Sequence, residues 1–461
     1  SFSEITTIAE SPLDAKVLWV GTDDGNVQVS TDGGKSWKEV SAAIVPVGVK
    51  SGTYVARIVA SSASKGAAIV AFDAHRSGDF APYIVRTTDF GKSWIATQNG
   101  LASDASVRSI QEYPGKPSVL FAGTERHLYV STDTGAHWTR IAGNLPTTRY
   151  DDIVIHPRTH DLVLATHGRS IWILDDASPI AEWSGDIAAR RSYFFAPARA
   201  TLMQYWEDIS NTAQGMYAGE NPADGTELTY YLSKPASKVR LIVRGQDGRV
   251  VREIAGATSG GVIHRVTWDL RHEPPPATAA AGAFGGEEGG GPTPAPGGRA
   301  GAPAPVQLPI PTHDIGNRGP YVSPGKFMVT LDVDGETSTQ SLEVRSDPAL
   351  TIPVAQQRAR EAFLLDVQAV QVELEQRASE LRAMRAEAAG ADSAALQALE
   401  RRLTAGRESP RAKLGGIARA FNGTGAQQGS FAAPTELHRQ MLSEVKAELA
   451  AVEDAMKKRR P

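Results

Sequence analysis

The chain has 461 residues, of which 41% are hydrophobic and 22% charged; 48 Lys and Arg stand against 52 Asp and Glu, a net charge of −4. This balance predicts a globular protein of about two to four domains and excludes the basic character of a nucleic-acid or anionic-membrane binder. No apolar run reaches the ~20 residues of a membrane span, and with no cysteine there is no disulfide, thiolate nucleophile or Cys-based zinc site.

The first part of the chain is organised by three copies of S/T-x-D-x-G-x-x-W, at residues 30–37, 87–94 and 131–138. Upstream of each box, or of its degenerate counterpart at 166–176, lie apolar runs rich in β-formers, as at 17–22, 119–124 and 162–166. Pro12, Pro114 and Pro157 open turns before these runs. Each unit therefore reads as four short strands, one β-propeller blade. The expectation is a mainly β protein, with a partial propeller of about four blades over 1–178: blades at 4–45, 53–100 and 106–146, and a fourth from 151. Within the boxes, Asp32, Asp89 and Asp133 are expected to accept N–H groups across the outer hairpin. Gly34, Gly91 and Gly135 supply positive φ, and Trp37, Trp94 and Trp138 pack beneath a neighbouring strand. These roles are architectural.

Ligand contacts are expected on the opposite rim, from the interblade loops and the loops between second and third strands. The interblade loops carry Arg57, Arg108, Arg149, Asp151 and Asp152. The other loops carry Asp23, Asp24, Asp73, His75, Arg126, His127, His167 and Arg169. Arg149, Asp151, Asp152, His167 and Arg169 fall in consecutive elements of one blade and, with Arg126, are the candidate ligand contacts. Asp151, Asp152 and Asp24 are the candidate catalytic carboxylates. Four blades are few for a closed ring and Ser1 opens within a repeat, so the expected partners include missing N-terminal blades or a second chain.

Residues 179–225 read as a connector. From 226 to 346, short strands, an Asp247-Gly248 hairpin turn and a core Trp268 predict a β-sandwich of immunoglobulin type. It is interrupted at 274–318 by a Pro-, Gly- and Ala-rich insertion with too few large apolar groups to offset ordering. Gly286 in that stretch is followed by no phosphate-binding Lys-Ser/Thr. Over 352–460, apolar residues recur at three- and four-residue steps. Phe363, Val367, Val370, Leu374, Leu381 and Met384 mark a helix of about 35 residues. Leu396, Leu399 and Leu403 mark a short one, and Met441, Val445, Leu449, Val452 and Met456 a third. The first and third are expected to pair as an α-helical hairpin or coiled coil, or to dock on another chain.

The boxes resemble the Asp-box of bacterial neuraminidase-type (BNR) repeats. Together with 165–176 and 219–222, they make the chain similar to the C-terminal portion of bacterial sortilin-like, "glycosyl hydrolase"-type propeller proteins. The strand order after 226 resembles the small Ig-like spacer of flagellar hook-capping and secretion-tail proteins. The resemblance implies an extracytoplasmic bacterial protein, periplasmic, cell-surface or secreted. Its members are named hydrolases largely by likeness to sialidases, which use an arginine triad, a Tyr nucleophile with Glu and an Asp acid, and to xyloglucanases, which use two carboxylates across the scissile bond, and the resemblance does not imply catalysis. No spacing assigns Arg57, Arg108, Arg149 and Arg169 to such a triad. No metal signature, nucleophile elbow or dinucleotide glycine loop is present, so no metal or cofactor is expected. The reading is a non-catalytic scaffold that binds protein or glycan. The alternatives are a glycoside hydrolase completed by further blades and a subunit of a cell-envelope assembly.

Overall fold

The computed structural model describes residues 3–204, 225–275, 318–423 and 429–459. The sequence cues at 219–222 and Gly286, and all but the ends of the 274–318 insertion, lie outside them. The chain divides into two compact units, Ser1–Arg190 and Arg191–Pro461.

The first unit is a series of antiparallel sheets, each built from strands consecutive in sequence. Blade 1 contains β1 (Ile5–Ser11), β2 (Asp14–Thr22), β3 (Val27–Ser30) and β4 (Lys38–Glu39). Blade 2 contains β5 (Tyr54–Ala60), β6 (Ala68–Asp73), β7 (Tyr83–Thr87) and β8 (Ile95–Ala96). Blade 3 contains β9 (Val107–Tyr113), β10 (Lys116–Thr124), β11 (Leu128–Ser131) and β12 (Thr139–Ile141). Blade 4 has three strands, β13 (Tyr150–Ile155), β14 (Leu162–Thr166) and β15 (Ile171–Leu174), and is followed by the short helices α1 (Ser178–Glu182) and α2 (Gly185–Ala189). The architecture is propeller-like.

Second strands carry a continuous apolar run, as at 68–72 in β6, because both faces are covered, one by each neighbouring blade. Val17 and Trp19 of β2 share a core with Ala68, Val70 and Phe72 of blade 2. Ile69 and Ala71, on the other face of β6, share one with Leu120 and Ala122 of blade 3. Val119 and Phe121 then meet Leu162 and Leu164 of blade 4. Three joints are thus made by one rule: one face of each second strand packs forward, the other back.

The boxes have a common geometry. In blade 2, Thr87 Oγ1 donates to Asp89 Oδ1 (2.8 Å) and accepts from Gly91 N (3.1 Å), while Ser93 donates its N–H to Oδ1 (3.0 Å) and its hydroxyl to Oδ2 (2.6 Å). Asp32 and Asp133 hold the same bonds, with His137 Nδ1 replacing the serine hydroxyl at 2.7 Å from Asp133. Bonds from the Ser36 and Ser93 side chains, then from their N–H groups, lower the Asp32 and Asp89 carboxyls to about 2. The residue before each box glycine is left-handed, with φ of 78° at Gly33, 60° at Phe90 and 61° at Thr134.

The box tryptophans are not equivalent. Trp94 is buried against Trp19 of blade 1, edge to face at 6.2 Å, and Trp138 Nε1 donates to Thr97 O of blade 2 at 2.6 Å. Trp37 was expected to pack likewise, but it is 39% exposed, against 5% and 4% for the other two. The physical reason is that each box tryptophan lodges on the preceding blade, and no described blade precedes the first.

The second unit begins earlier than the sequence suggested. Residues expected in the 179–225 connector form β16 (Ser192–Phe194) and β17 (Ala200–Leu202). β16 pairs with β18 (Thr226–Leu232), which pairs with β21 (Val262–Trp268). β17 runs parallel to β23 (Glu336–Ser346), continuing through β22 (Gly325–Val333) and β19 (Val239–Arg244) to β20 (Val250–Ala255). These three- and five-stranded sheets enclose one core around Trp268, Tyr230, Leu241 and Val329. Trp268 meets Phe327 edge to face at 5.4 Å.

The tail is not a two-helix coiled coil. Its helices are α3 (Val354–Glu387), α4 (Gly390–Thr404), α5 (Pro410–Asn422) and α6 (Glu436–Lys457). All four share one core, with Phe363, Val367 and Leu374 facing Leu399, Ile417, Phe421, Val445 and Leu449. α5 went unread because Gly415-Gly416 interrupts its apolar pattern. Ser409 caps it by accepting the Ala412 N–H, with Pro410 in the first turn.

Two arginines are buried beside one another, Arg271 at the end of the sandwich and Arg360 on α3. Arg271 stacks 3.5 Å above the Tyr321 ring. Arg360 donates to Ser430 O and Phe421 O, both at 2.7 Å, beside the Phe431 ring. Burial, then the neighbouring Arg271, lowers Arg360 to about 10, which leaves it charged at neutral pH. Beside them Glu361 accepts from His272 Nε2 (2.6 Å) and Ser323 N (3.0 Å). Burial raises its carboxyl, but these bonds outweigh burial and hold it low.

Candidate functional site

The innermost strand of every blade slips register at the same place: between Ile5 and Thr7, Val55 and Arg57, Val107 and Ser109, and Tyr150 and Asp152. Such bulges re-aim side chains at the end of a strand. The residues beside them are Thr6 and Thr7, Arg57, Arg108 and Ser109, and Asp151 and Asp152. The hydroxyls stitch blades together. Thr7 Oγ1 accepts the Ile58 N–H at 3.2 Å, and Ser109 Oγ donates to Tyr150 O at 2.9 Å. The charged residues form a rim.

Arg57 reaches past blade 3 to Asp152 of blade 4, at 2.5 Å. Arg149 Nε lies 2.6 Å from Asp151, and Arg149 Nη2 donates to His167 Nδ1 at 2.6 Å. Arg126 meets Asp104 at 2.9 Å. Arg108 pairs with Asp73 and, through Nε, with Glu125 at 3.3 Å. Asp73 also holds His75 Nδ1 at 2.6 Å and is only 2% exposed. Burial, then Arg140 and Arg126 nearby, lowers His127.

Of the candidate contacts, the structure brings Arg149, Asp151 and His167 together and joins Asp152 to Arg57. Arg126 sits with Asp104. Arg169 is exposed, its carbonyl accepting the Trp172 indole N–H at 2.8 Å. Unlike Arg57, Arg108, Arg126 and Arg149, it has no carboxylate within ion-pair distance among the described residues. Asp24 belongs to a turn: it accepts from Thr22, from Ser3 Oγ at 2.8 Å and from Asn26 Nδ2 at 3.1 Å, bonds that lower its carboxyl, the Thr22 bond most. The Asp73–His75–Arg108 group was not among the leading candidates, because the bulge that aims Arg108, like the one that aims Asp151 and Asp152, shows in strand register and not in the sequence. Among the described residues, no helix is long and apolar enough to cross a membrane and no cluster of three or more His, Cys, Asp and Glu could hold a metal.

No family model matches the chain, and no curated protein matches it. Solved structures do. YCF48 bound to D1 peptide is 16% identical, with 38% of this chain and 53% of that one covered and a TM-score of 0.30. The GH74 enzyme of Niastella koreensis is 14% identical over 58% and 38%, at 0.32. The Cps50 (Swd1) beta-propeller domain of Myceliophteria thermophila is 14% identical over 55% and 74%, at 0.30. The chain thus spans about half of the first and well under half of the second. Likeness at this level adds nothing to the blades described above.

Proposed function

We propose that the chain is a non-catalytic binding protein of the BNR, sortilin-like type, whose bulged rim holds an acidic protein segment. The observation that carries this is the pairing at the rim. The Asp151 and Asp152 carboxylates each face an arginine that is itself partly exposed, and Arg169, two residues after His167, is exposed. An incoming carboxylate can take over such exposed pairs at little net cost, since a solvent-exposed ion pair is worth about 0–1 kcal/mol. In this proposal the sandwich is an Ig-like spacer. The setting is extracytoplasmic and bacterial, for which the support is the sequence resemblance of the boxes.

Binding of a fluorescent Asp/Glu-rich dodecapeptide, with a Lys-rich one as control, tests the reading. The acidic probe is expected to bind, weaken with salt and lose at least tenfold affinity in Arg149→Ala/Arg169→Ala. Equal binding of both probes, or turnover of xyloglucan or sialoside substrates by the chain, overturns it.

A further inference from the structure

In blades 2 and 4, the loop between second and third strands carries a histidine that shares an aspartate with an arginine. In blade 2, His75 Nδ1 lies 2.6 Å from Asp73 Oδ2, and the His75 N–H donates to Asp73 Oδ1 at 3.1 Å. A carboxylate only accepts, so this Nδ1 carries the proton. Arg108 pairs with the same Asp73 and stays 3.4 Å from the ring nitrogen. In blade 4 the order is reversed. Arg149 Nη2 lies 2.6 Å from His167 Nδ1, whereas Asp151 Oδ2 is 3.4 Å from it. A guanidinium only donates and keeps its charge at every working pH. Here Nδ1 therefore offers its lone pair, and the ring proton sits on Nε2.

The two clusters answer a proton differently. His75 takes it on Nε2, the nitrogen that Asp73 does not use, and no bond in its cluster breaks. His167 takes it from solvent on Nδ1. The bond from Arg149 Nη2 is then lost, two cations stand where a donor met an acceptor, and Asp151 Oδ2 is the acceptor nearest the new N–H. The backbone holds His167 in place meanwhile: its N–H donates to Arg149 O at 2.9 Å, and Thr148 Oγ1 donates to its carbonyl at 3.1 Å. The surrounding charges are Arg149 and Asp151 beside the start of β13, Arg169 in the same loop and the Asp152–Arg57 pair across the bulge. The Arg126–Asp104 pair adjoins Thr148, whose N–H donates to Arg126 O at 3.2 Å. These four arginines against three aspartates already suit an anionic partner, and a protonated His167 adds one more positive charge.

We propose that His167, Asp151 and Arg149 form an acid-operated catch on the rim, which holds an acidic protein segment more tightly in mildly acidic than in neutral medium. This rests on the acidic-partner reading above and adds its regulation. In neutral medium Arg149 is occupied by Asp151 and by the neutral imidazole. On acidification the imidazolium turns to Asp151 and Arg149 gives up its Nη2 contact. An incoming carboxylate then meets a free guanidinium edge beside a second cation, a stronger acceptor site than either alone.

Two measurements test the catch. The first needs no partner: nitrogen NMR of the histidine- and arginine-labelled chain from about pH 8 to about pH 5, a span that covers imidazole titration, with His167→Gln assigning the signals. His167 Nδ1 is expected to read as the unprotonated nitrogen at the alkaline end, and the Arg149 signal to move as His167 titrates, while the titration of His75 leaves Arg108 in place. A protonated Nδ1 at the alkaline end, or an Arg149 signal that ignores His167, overturns the inference. The second is binding of the fluorescent acidic dodecapeptide at about pH 7.5 and about pH 5.5, where its side chains stay ionised. Wild type is expected to bind about three- to fivefold tighter at the lower pH, the worth of one exposed ion pair. His167→Gln, which accepts from Arg149 at either pH, is expected to lose that gain and His75→Gln to keep it. A gain that survives in His167→Gln, or a wild type that binds equally at both pH values, also overturns the inference. Absence of binding at both rejects the acidic-partner reading instead, and the spectra then decide the catch alone.

Discussion

In the blades, each joint is assembled from many small contributions: a forward strand face against a backward one, a tryptophan on the preceding blade, and a hydroxyl bond such as Ser109 to Tyr150. Most charges stay at the rim, where water reaches them, Asp73 and Glu112 being buried exceptions. In the second unit, the segment around α5 is held to α3 by one buried guanidinium: Arg360 binds two carbonyls from that segment. A joint built by repetition degrades locally when one part is lost. A joint built on a single buried cation concentrates the loss, because every group that bonded to it is left unpaired in a dry environment.

The largest expected effect is therefore at Arg360. Arg360→Ala leaves a cavity and two unpaired carbonyls, and about 3–5 kcal/mol of local stability should be lost. Native-state hydrogen exchange over 354–387 and 410–442 reads this directly. Arg360→Met, which restores the stem but not the bonds, should recover part of the loss. An unchanged exchange pattern in the alanine variant would remove the contrast between the two units.

Next comes the pair of box tryptophans. Trp94→Ala removes an indole buried between blades and should cost about 3–5 kcal/mol. Trp37→Ala should cost less than about 1 kcal/mol. Denaturant melts of the two variants, read by tryptophan fluorescence, compare them on one scale. Equal losses would mean that the tryptophans serve their own blade and not the joint.

The smallest effect is that of the box carboxylates on acid stability. In the folded chain Asp89 is depressed to about 2, so its contribution is present above the ordinary carboxylate value of about 3.9 and fades as pH falls toward 2. Asp89→Asn should lower the melting temperature at pH 5–7 and flatten its fall between pH 4 and 2. Parallel curves for variant and wild type would show that the carboxylate charge takes no part.

The features legible in the sequence were those whose causes are local. A box closes through bonds between residues two to four apart, such as Thr87 to Asp89 and Ser93 to Asp89, so its pattern survives in a linear reading. The long helix α3 was legible for the same reason. The joints were not, because which face of β6 packs forward depends on the bulge in β5, and a bulge leaves no residue signature of its own. The left-handed backbone at Phe90 and Thr134 was hidden because neither residue advertises it, while Gly33 does. The strands β16 and β17 are three residues each and pair with partners far along the chain, so neither periodicity nor turn chemistry could announce them. At the rim, Asp151 and Asp152 were read as neighbours of equal standing. The bulge separates them, one toward Arg149 and the other toward Arg57.

The neck that flanks residues 276–317 has a practical consequence. His272 N donates to Pro320 O and Val322 N to Leu270 O, both at 2.9 Å, and the Arg271 guanidinium donates to Gly319 O at 3.0 Å. The two ends of that stretch are therefore clasped before anything between them is specified. Lengthening a loop whose ends are already held costs only logarithmically in chain entropy. A fluorescent reporter or an affinity handle spliced between 280 and 310 should leave both sheets as they are, which makes this neck the natural attachment point for instrumenting the molecule.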